Sequence, residues 1–318
     1  MGTRTILTID TELTWRHHIA GSGWEENYAR SVEPAGVGLS YQLAQLAHHG
    51  LKACFFVDPM PALVFGIDPV RRMVETITSA GQEVQLHIHP MWEQARTDGT
   101  VAEGTVFELI DHPFDKQRAL IAEARALLVE AGAADPIAFR SGSYAVNEDS
   151  LRVLAALGIR YDSSHNGCEG PWPSALSLPL DQTAPVEHQG VIEIPVSQMR
   201  TGSGGLRHMQ ICAVSLAEMA HALDHAVANG HPTFVPVGHS FELATRDGLR
   251  PNPVVRKRFD GLCAMLADRA DRAPTMHFAD LDTLPLGGAL EPVPASLTLV
   301  AGRMAGQLWS NLIEKRAA

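Results

Sequence analysis

The sequence contains little cysteine. Four cysteines are spread over its 318 residues, at Cys54, Cys168, Cys212 and Cys263, and no two of them form a Cys-x-x-Cys motif. Thiolate zinc sites need closely spaced cysteines and disulfide frameworks need a regular set of them, so this spacing indicates neither. It is typical of a protein from a reducing compartment.

Positive charge and long apolar runs are also scarce. The 25 Lys and Arg residues are outnumbered by 36 Asp and Glu residues, which gives a formal net charge of -11. Because affinity for a phosphate backbone needs clustered Lys and Arg, we expect no nucleic-acid partner. No apolar run approaches the ~20 residues of a membrane span, and no signal-peptide pattern opens the sequence. We therefore expect a cytoplasmic protein with no membrane span.

Apolar, β-branched runs alternate with segments of helical period. The predicted strands are residues 5–9, 52–57, 83–89, 137–140, 159–162, 191–196, 233–237 and 275–278. The predicted helices are residues 37–49, 69–80, 116–131, 148–157, 216–229 and 253–269. Seven or eight strands joined by helices indicate an α/β fold with a parallel sheet, and this length favours a closed or nearly closed (β/α) barrel.

One domain is expected to carry this barrel. With 45% hydrophobic residues, the chain can bury one large core, and we assign residues 1–285 to a single barrel domain. After Asp282 the composition turns to Pro, Gly and Leu, and residues 297–315 have the pattern of one amphipathic helix. Residues 286–318 are therefore predicted to form a helical extension, packed on the barrel or at an oligomer contact.

The most informative stretch is the predicted strand at residues 83–89. Side chains alternate along a strand, so His87 and His89 project from one face, and Pro90 places them at its carboxyl end. Parallel α/β folds keep their chemistry there, and neutral imidazole is a preferred ligand of zinc. The pair predicts a metal site. Two hydrogen-bonded polar side chains at a strand end are an equally good explanation of this motif alone.

The first strand ends in two carboxylates, Asp10 and Glu12, which share a face by the same alternation. One of them can complete a three-ligand metal site that leaves a position for water, and the other can take a proton from that water. A solvated or helix-capping acidic pair is the commoner explanation of Asp-x-Glu in isolation. The position on the first strand favours the functional explanation.

Two further strand ends carry reactive side chains. Arg140 is a natural partner for the carboxylate that does not bind metal, although an ordinary salt bridge is the alternative. The nearby Gly142 allows the backbone to approach a substrate. His239, at the end of a late strand, changes charge near pH 7 and so suits a general acid.

Three long connections, residues 14–34, 91–113 and 163–190, are expected to wall or cover the site. In the last of them, Trp172 offers an aromatic face and His165 a polar group, the combination that a sugar ring needs. Both are candidate substrate contacts, and a surface loop with a packed tryptophan is the alternative.

These motifs, in this order, resemble the polysaccharide deacetylase family, the NodB-homology carbohydrate esterases, over about residues 5–278. The run Lys52-Ala53-Cys54-Phe55-Phe56-Val57 is similar to the second-strand signature of that family. The resemblance implies a NodB-like deformed TIM barrel and metal-dependent removal of an N- or O-acetyl group from a carbohydrate. An N-acetylated sugar or polysaccharide is then the expected substrate, and a homo-oligomer is compatible with it.

The resemblance also implies roles for individual residues. They are Asp10 as general base, Glu12, His87 and His89 as metal ligands, Arg140 as the partner of the base, His239 as general acid, and Tyr144 as the source of a backbone amide for the oxyanion. The implied cofactor is a divalent metal, with Zn²⁺ expected first and Co²⁺, Ni²⁺ or Mn²⁺ as the other candidates.

The chain departs from the family pattern at two places. The usual adjacent aspartates are replaced by Asp10-Thr11-Glu12, and the usual His-x-x-x-His by His87-Ile88-His89, with Met91 in the fourth position after His87. His89 is the expected third ligand, and a residue of the following loop is the alternative.

Three alternatives remain at this stage. A second candidate metal set, Glu218, His221 and His225, has helical spacing but faces away from the barrel mouth. An amidase for a non-sugar C–N bond would need the same catalytic parts. A homologue that binds carbohydrate without catalysis is the third alternative.

Overall fold

The computed structural model describes residues 2–288 and 290–317, the side chains of 297 and 314–317 excepted. Residue 1 of the predicted barrel domain and residues 289 and 318 of the predicted C-terminal extension lie outside the described residues. The strands are β1 Arg4–Thr5, β2 Thr8–Thr11, β3 Cys54–Val57, β4 Glu83–Ile88, β5 Ala138–Ser141, β6 Tyr161–Asp162, β7 Val186–His188, β8 Val191–Glu193, β9 Gln198–Arg200, β10 Leu206–His208, β11 Thr233–Phe234 and β12 Val237–His239. The helices are α1 Trp15–Ile19, α2 Trp24–Ser31, α3 Leu39–His49, α4 Ala62–Phe65, α5 Asp68–Ser79, α6 Phe114–Glu130, α7 Glu148–Ala156, α8 Leu216–Ala228, α9 Pro253–Asp268 and α10 Leu297–Ala317.

The main sheet has eight strands in the order β12-β2-β3-β4-β5-β6-β8-β7. All neighbours are parallel except β7 and β8, which form an antiparallel hairpin at one edge. The predicted (β/α) barrel is confirmed in this form. No ladder joins β8 to β12 among the described residues. The segment around β9 and β10 fills that seam, where Met209 N–H donates to the Ser197 carbonyl and Ile211 N–H to the Val237 carbonyl.

Two apolar clusters explain why the sheet curls. Alternate side chains of each strand face outward to the helices, as Phe55 does on β3. The others face inward and form a second cluster at the bottom of the barrel, to which Phe56 and Ala138 belong. Asp10, His87 and Arg140 have the inward parity of their strands, and they lie above this cluster at the carboxyl ends. The inward-facing positions of the strands are therefore apolar at the bottom of the barrel and polar at its mouth.

Three predicted strands differ from the structure. Residues 5–9 and 233–237 are each interrupted, so that β1 pairs with β11 and β2 with β12. Pro236 lies at the interruption, and it has no N–H to donate to a ladder. The predicted strand at residues 275–278 is wrong. Thr275 forms a single bridge with Thr5, and Phe278 begins a 3₁₀ turn that packs its ring on Phe56 and Tyr161.

Helix α10 packs against α8 and α9. The Arg303 Nε lies 3.1 Å from the Glu218 carboxylate, and the Asn252 side chain donates to Ser310 at 2.9 Å. The division of the chain at residue 285 stays a prediction. No helix in the described ranges is long and apolar enough to span a bilayer.

Candidate active site

A cavity of about 510 Å³ opens at the carboxyl ends of the central strands. The predicted site residues that line it are Asp10, Glu12, His87, His89, Tyr144, Trp172 and His239. They come from β2, β4, β12 and two loops, so the curled sheet brings together side chains that are more than 200 positions apart in sequence.

Glu12, His87 and His89 form a compact donor set. The Nε2 atoms of His89 and His87 lie 2.6 and 3.4 Å from Oε2 of Glu12, and the three donor atoms are all within 4.8 Å of one another. Glu12 is buried, its Oε2 faces only these two ring nitrogens among the described side chains, and a buried carboxylate is costly unless a cation faces it. Two imidazoles and a carboxylate match the preference of zinc and similar ions. The residues present therefore fit a divalent metal.

The tautomer of His87 supports the same interpretation. Its Nδ1 lies 2.7 Å from the carbonyl oxygen of Arg140, which can only accept a hydrogen bond. Nδ1 therefore carries a proton, and in the neutral ring Nε2 keeps the lone pair that a metal ion needs. Metal-binding histidines are commonly oriented in this way by a carbonyl oxygen.

Electrostatics couples the donor set tightly. Burial favours the neutral form of Glu12, but the two imidazoles outweigh it and hold the pKa of Glu12 well below its usual value. Burial opposes the charged form of His89, but the Glu12 carboxylate outweighs it and raises the pKa of His89 to about 9. A cation at this position, whether a proton or a metal, is strongly favoured by the surroundings.

Gly142 makes room for His89. A Cβ atom at position 142 would lie 2.3 Å from Cε1 of the His89 ring, closer than any side chain tolerates. From the sequence, this glycine was expected to allow the approach of substrate. In the structure the absent side chain instead permits the close approach of the His89 ring.

Arg140 fixes Asp10. Its guanidinium is fully buried and donates from Nη1 to Oδ1 of Asp10 at 2.8 Å and to Oγ1 of Thr8 at 2.9 Å. Nε donates to the Ser163 carbonyl at 3.0 Å, and the ring of Phe56 stacks on the guanidinium at 4.5 Å. An arginine with this many partners cannot rotate, so Asp10 keeps one orientation and a full countercharge.

His239 completes the mouth from β12. Its Nε2 lies 3.7 Å from Oδ2 of Asp10, and its Nδ1 lies 2.8 Å from Oε1 of Glu242. Burial opposes the protonated form, but Glu242 and then Asp10 outweigh it and raise the pKa of His239 to about 9. The side chain of Gln210 also donates to Glu242. The imidazole is therefore kept protonated at neutral pH.

Carboxylates without a predicted role also lie near the site, among them Glu242, Asp58 and Glu108. Glu242 lies three residues after His239 in the same motif, which was the available signal. Asp58 follows β3 with the inward parity of Cys54 and Phe56, and burial raises its pKa to about 6. Glu108 lies in an irregular loop and lines the cavity, and burial raises its pKa. No pattern in the sequence marks a loop residue of this kind.

Tyr144 lies in a strained turn after β5. It and Ser143 have φ angles of 58° and 54°, in the left-handed region that residues other than glycine seldom adopt. The turn brings the Tyr144 side chain to the cavity wall, where its hydroxyl is buried and has no hydrogen-bond partner. Burial raises the pKa of this hydroxyl, so Tyr144 stays neutral.

The two predicted substrate contacts lie in different places. Trp172 lines the cavity and is 57% exposed, so much of its side chain is open to a ligand. His165 is only 1% exposed, is not among the residues that line the cavity, and has its Nε2 3.0 Å from the Pro179 carbonyl. The loop folds His165 inward, and the structure does not bring it to the substrate side.

The alternative metal set is not assembled. Glu218 caps the start of α8 through Ser215 and forms the buried ion pair with Arg303. Within residues 2–288 and 290–317, the set of Glu12, His87 and His89 is the one group of three or more such side chains with metal-binding geometry.

Comparison with known proteins shows the fold. The sequence matches no protein-family model and no curated protein. The structure is similar to a proposed polysaccharide deacetylase from Mycobacterium smegmatis, with 17% sequence identity and a TM-score of 0.50 over 87% of this chain and 94% of that one. It is also similar to a 4-alpha-glucanotransferase from Thermococcus litoralis, with 10% identity and a TM-score of 0.51 over 92% of this chain and 40% of that one.

A family 4 carbohydrate esterase from Streptomyces lividans, in complex with acetate, matches with 12% identity and a TM-score of 0.45 over 91% of this chain and 98% of that one. The likeness to the proposed polysaccharide deacetylase from Mycobacterium smegmatis, together with the curled parallel sheet, confirms the predicted NodB-like deformed barrel as the fold. Because a glucanotransferase also shares this fold, the activity has to be argued from the site itself.

Proposed function

We propose that the protein is a metal-dependent deacetylase that hydrolyses an N- or O-acetyl group on a carbohydrate. One observation carries the proposal. A metal-binding set, a carboxylate fixed by a buried arginine, and a protonated histidine all face one cavity. Metal-assisted hydrolysis of an acyl group uses these three parts. The likeness to a proposed polysaccharide deacetylase supports the choice of substrate.

Glu12, His87 and His89 would hold the metal, with Zn²⁺ expected first and Co²⁺, Ni²⁺ or Mn²⁺ as alternatives. When bound, such an ion lowers the pKa of a water and polarises an acyl oxygen. The Arg140 carbonyl keeps the proton of His87 on Nδ1, so that Nε2 is free to bind.

Asp10 would act as the general base. Its Oδ1 is held by Arg140, so Oδ2 is the atom that faces the reacting water and takes its proton. The buried guanidinium stabilises the ionised carboxylate, which is the form a base requires. Arg140 therefore orients the base and does not itself touch the substrate.

His239 would act as the general acid. Its Nδ1 is hydrogen-bonded to Glu242, so the proton on Nε2 points away from Glu242 and toward the Asp10 side of the cavity. The leaving nitrogen or oxygen of the sugar accepts that proton as the bond to the acyl carbon breaks. The reacting atoms of the base and the acid lie 3.7 Å apart at one cavity, so both would reach the same acyl group when it binds there.

Two further residues complete the proposal. Ser143 and Tyr144 line the cavity in a strained turn, and the main-chain amide of Tyr144 would donate to the oxyanion. The open face of Trp172 would stack on a sugar ring, which favours a carbohydrate over a small non-sugar amide.

The test joins metal analysis to acetate release. Protein purified without chelator is expected to contain one divalent ion per chain and to release acetate from N-acetylglucosamine oligosaccharides. Replacing His89 by alanine should lower both metal content and rate. His48→Ala, an exposed histidine on α3, is the matched control and should change neither.

Other outcomes would replace the proposal. Release from small amides but not from sugars would indicate an amidase. Sugar binding by metal-loaded protein without release from either would indicate a binding protein. Full metal content in the His89→Ala variant would place the third ligand elsewhere.

A further inference from the structure

The cavity is rich in carboxylates. Among the described residues, four carboxylates line it and neither lysine nor arginine does. The charge of Asp10 is compensated by the buried guanidinium of Arg140, and Glu12 contacts the imidazoles of His87 and His89. The carboxylates of Glu108 and Glu169 remain, and in the described part of the chain neither forms an ion pair with a lysine or an arginine.

Glu108 lies at the wall beside the metal set. It immediately precedes the 3₁₀ turn Leu109–Asp111 and receives a hydrogen bond from Ser143. Its Oε2 is shielded from water and has no hydrogen-bond partner. An unpaired buried carboxylate oxygen is costly, and a donor on a bound ligand would remove that cost.

Glu169 comes from a different loop. It ends the 3₁₀ turn Gly167–Glu169, is half-buried, and lines the cavity together with Trp172 and His208. The open indole of Trp172 lies three residues further along. Carboxylates and tryptophan faces are the two groups that attract an ammonium ion.

We infer that the cavity selects N-acetylated amino sugars that carry a free amine on the neighbouring ring. The inference rests on the proposed function and adds the charge of the substrate to it. Glu108 and Glu169 bind the ammonium group from two loops, and Trp172 stacks on the same ring. A sugar that carries a carboxylate on that ring finds neither lysine nor arginine in the lining and is repelled by both glutamates. The net charge of -11 attracts the same cationic substrates at longer range.

The experiment compares disaccharides of β-linked glucosamine that differ only in acetylation. They carry two acetyl groups, one acetyl group on either ring, or none. Initial rates are measured for the acetylated sugars, and calorimetric binding for the fully deacetylated one. We expect kcat/KM for one of the two monoacetylated sugars to exceed that of the diacetylated sugar by roughly tenfold, the scale of one partly buried charge pair. Added salt should reduce the preference.

Variants assign the preference to residues. Glu108→Gln and Glu169→Gln keep size and remove charge, and each should reduce the preference and weaken binding of the fully deacetylated disaccharide. Glu75→Gln, an exposed glutamate on α5, is the matched control and should leave both unchanged.

The outcomes separate this inference from the proposed function. Equal kcat/KM for all acetylated sugars, or a preference that survives in both glutamine variants, overturns the inference and leaves the deacetylase standing. Calorimetric binding that requires Glu108 and Glu169, without acetate release from any sugar, supports the inference and overturns the deacetylase.

Discussion

The carbonyl oxygen of Arg140 accepts a hydrogen bond from Nδ1 of His87 at 2.7 Å, while the guanidinium of the same residue donates to Asp10 at 2.8 Å. The main chain of Arg140 thus orients a candidate metal ligand, and its side chain orients the candidate base. The two functions can be separated, because a side-chain substitution leaves the carbonyl in place.

Asp10→Asn should retain metal and lose turnover. Asparagine keeps the shape of the carboxylate but cannot accept a proton, and Asp10 is not part of the donor set. We expect kcat to fall roughly 10²–10⁴-fold, the usual contribution of a positioned base. Elemental analysis of the variant, together with its kcat, checks this prediction. Loss of metal from the variant would identify Asp10 as a metal ligand.

Gly142→Ala should weaken metal binding without touching a ligand. The new Cβ would fall within 2.3 Å of the His89 ring and displace it. Changes that misorient a metal ligand cost roughly 10- to 100-fold in affinity. Competition with a chromophoric chelator measures this. Gly302→Ala, where a Cβ meets nothing within 4 Å, is the control, and equal affinities in both variants would show that the ring adapts.

His239→Ala should reduce turnover of an acetamide by roughly 10²–10⁴-fold. The loss should be much smaller on an activated acetate ester, whose leaving group needs no proton. Comparison of kcat on the two substrates checks this. A similar loss on both would assign His239 to structure or substrate binding.

The pH profile should have an alkaline limb set by His239. A general acid must be protonated, and the pKa of His239 is raised to about 9, so activity falls as the pH rises through about 9. Glu242→Gln removes the largest favourable charge. The pKa of His239 should then move toward its ordinary value of about 6.5, and the limb to lower pH. If the alkaline limb of the pH profile stays at the same pH in the Glu242→Gln variant, that limb reports the titration of a group other than His239.

The strand ends were predictable from sequence because one rule governs them. Alternation along a strand put Asp10 with Glu12 and His87 with His89, and parallel pairing put both pairs at one edge of the sheet. The structure has His239 opposite Asp10 and His87 opposite Arg140 in register, so these side chains meet.

Residues on irregular segments were not predictable in this way. His165 is turned inward by a loop whose path follows no period, and Glu108 reaches the cavity from another such loop. Residues 275–278 have the β-branched and apolar composition of a strand, but Thr275 makes one bridge only. The packing of Phe278 in the cluster at the bottom of the barrel favours a 3₁₀ turn over a strand at these residues.

The seam between β8 and β12 has a consequence for dynamics. His208 and Gln210 lie on one side of the cavity, on a segment that pairs with β9 in a separate two-stranded ladder. In the described part of the chain, single hydrogen bonds and one isolated bridge, and no continuous ladder, join this segment to the main sheet at β12. Segments held in this way unfold locally at a lower free energy than central strands. Amide hydrogens at residues 206–211 should therefore exchange faster than those of β3 and β4, and the mouth should widen on this side when a long saccharide enters.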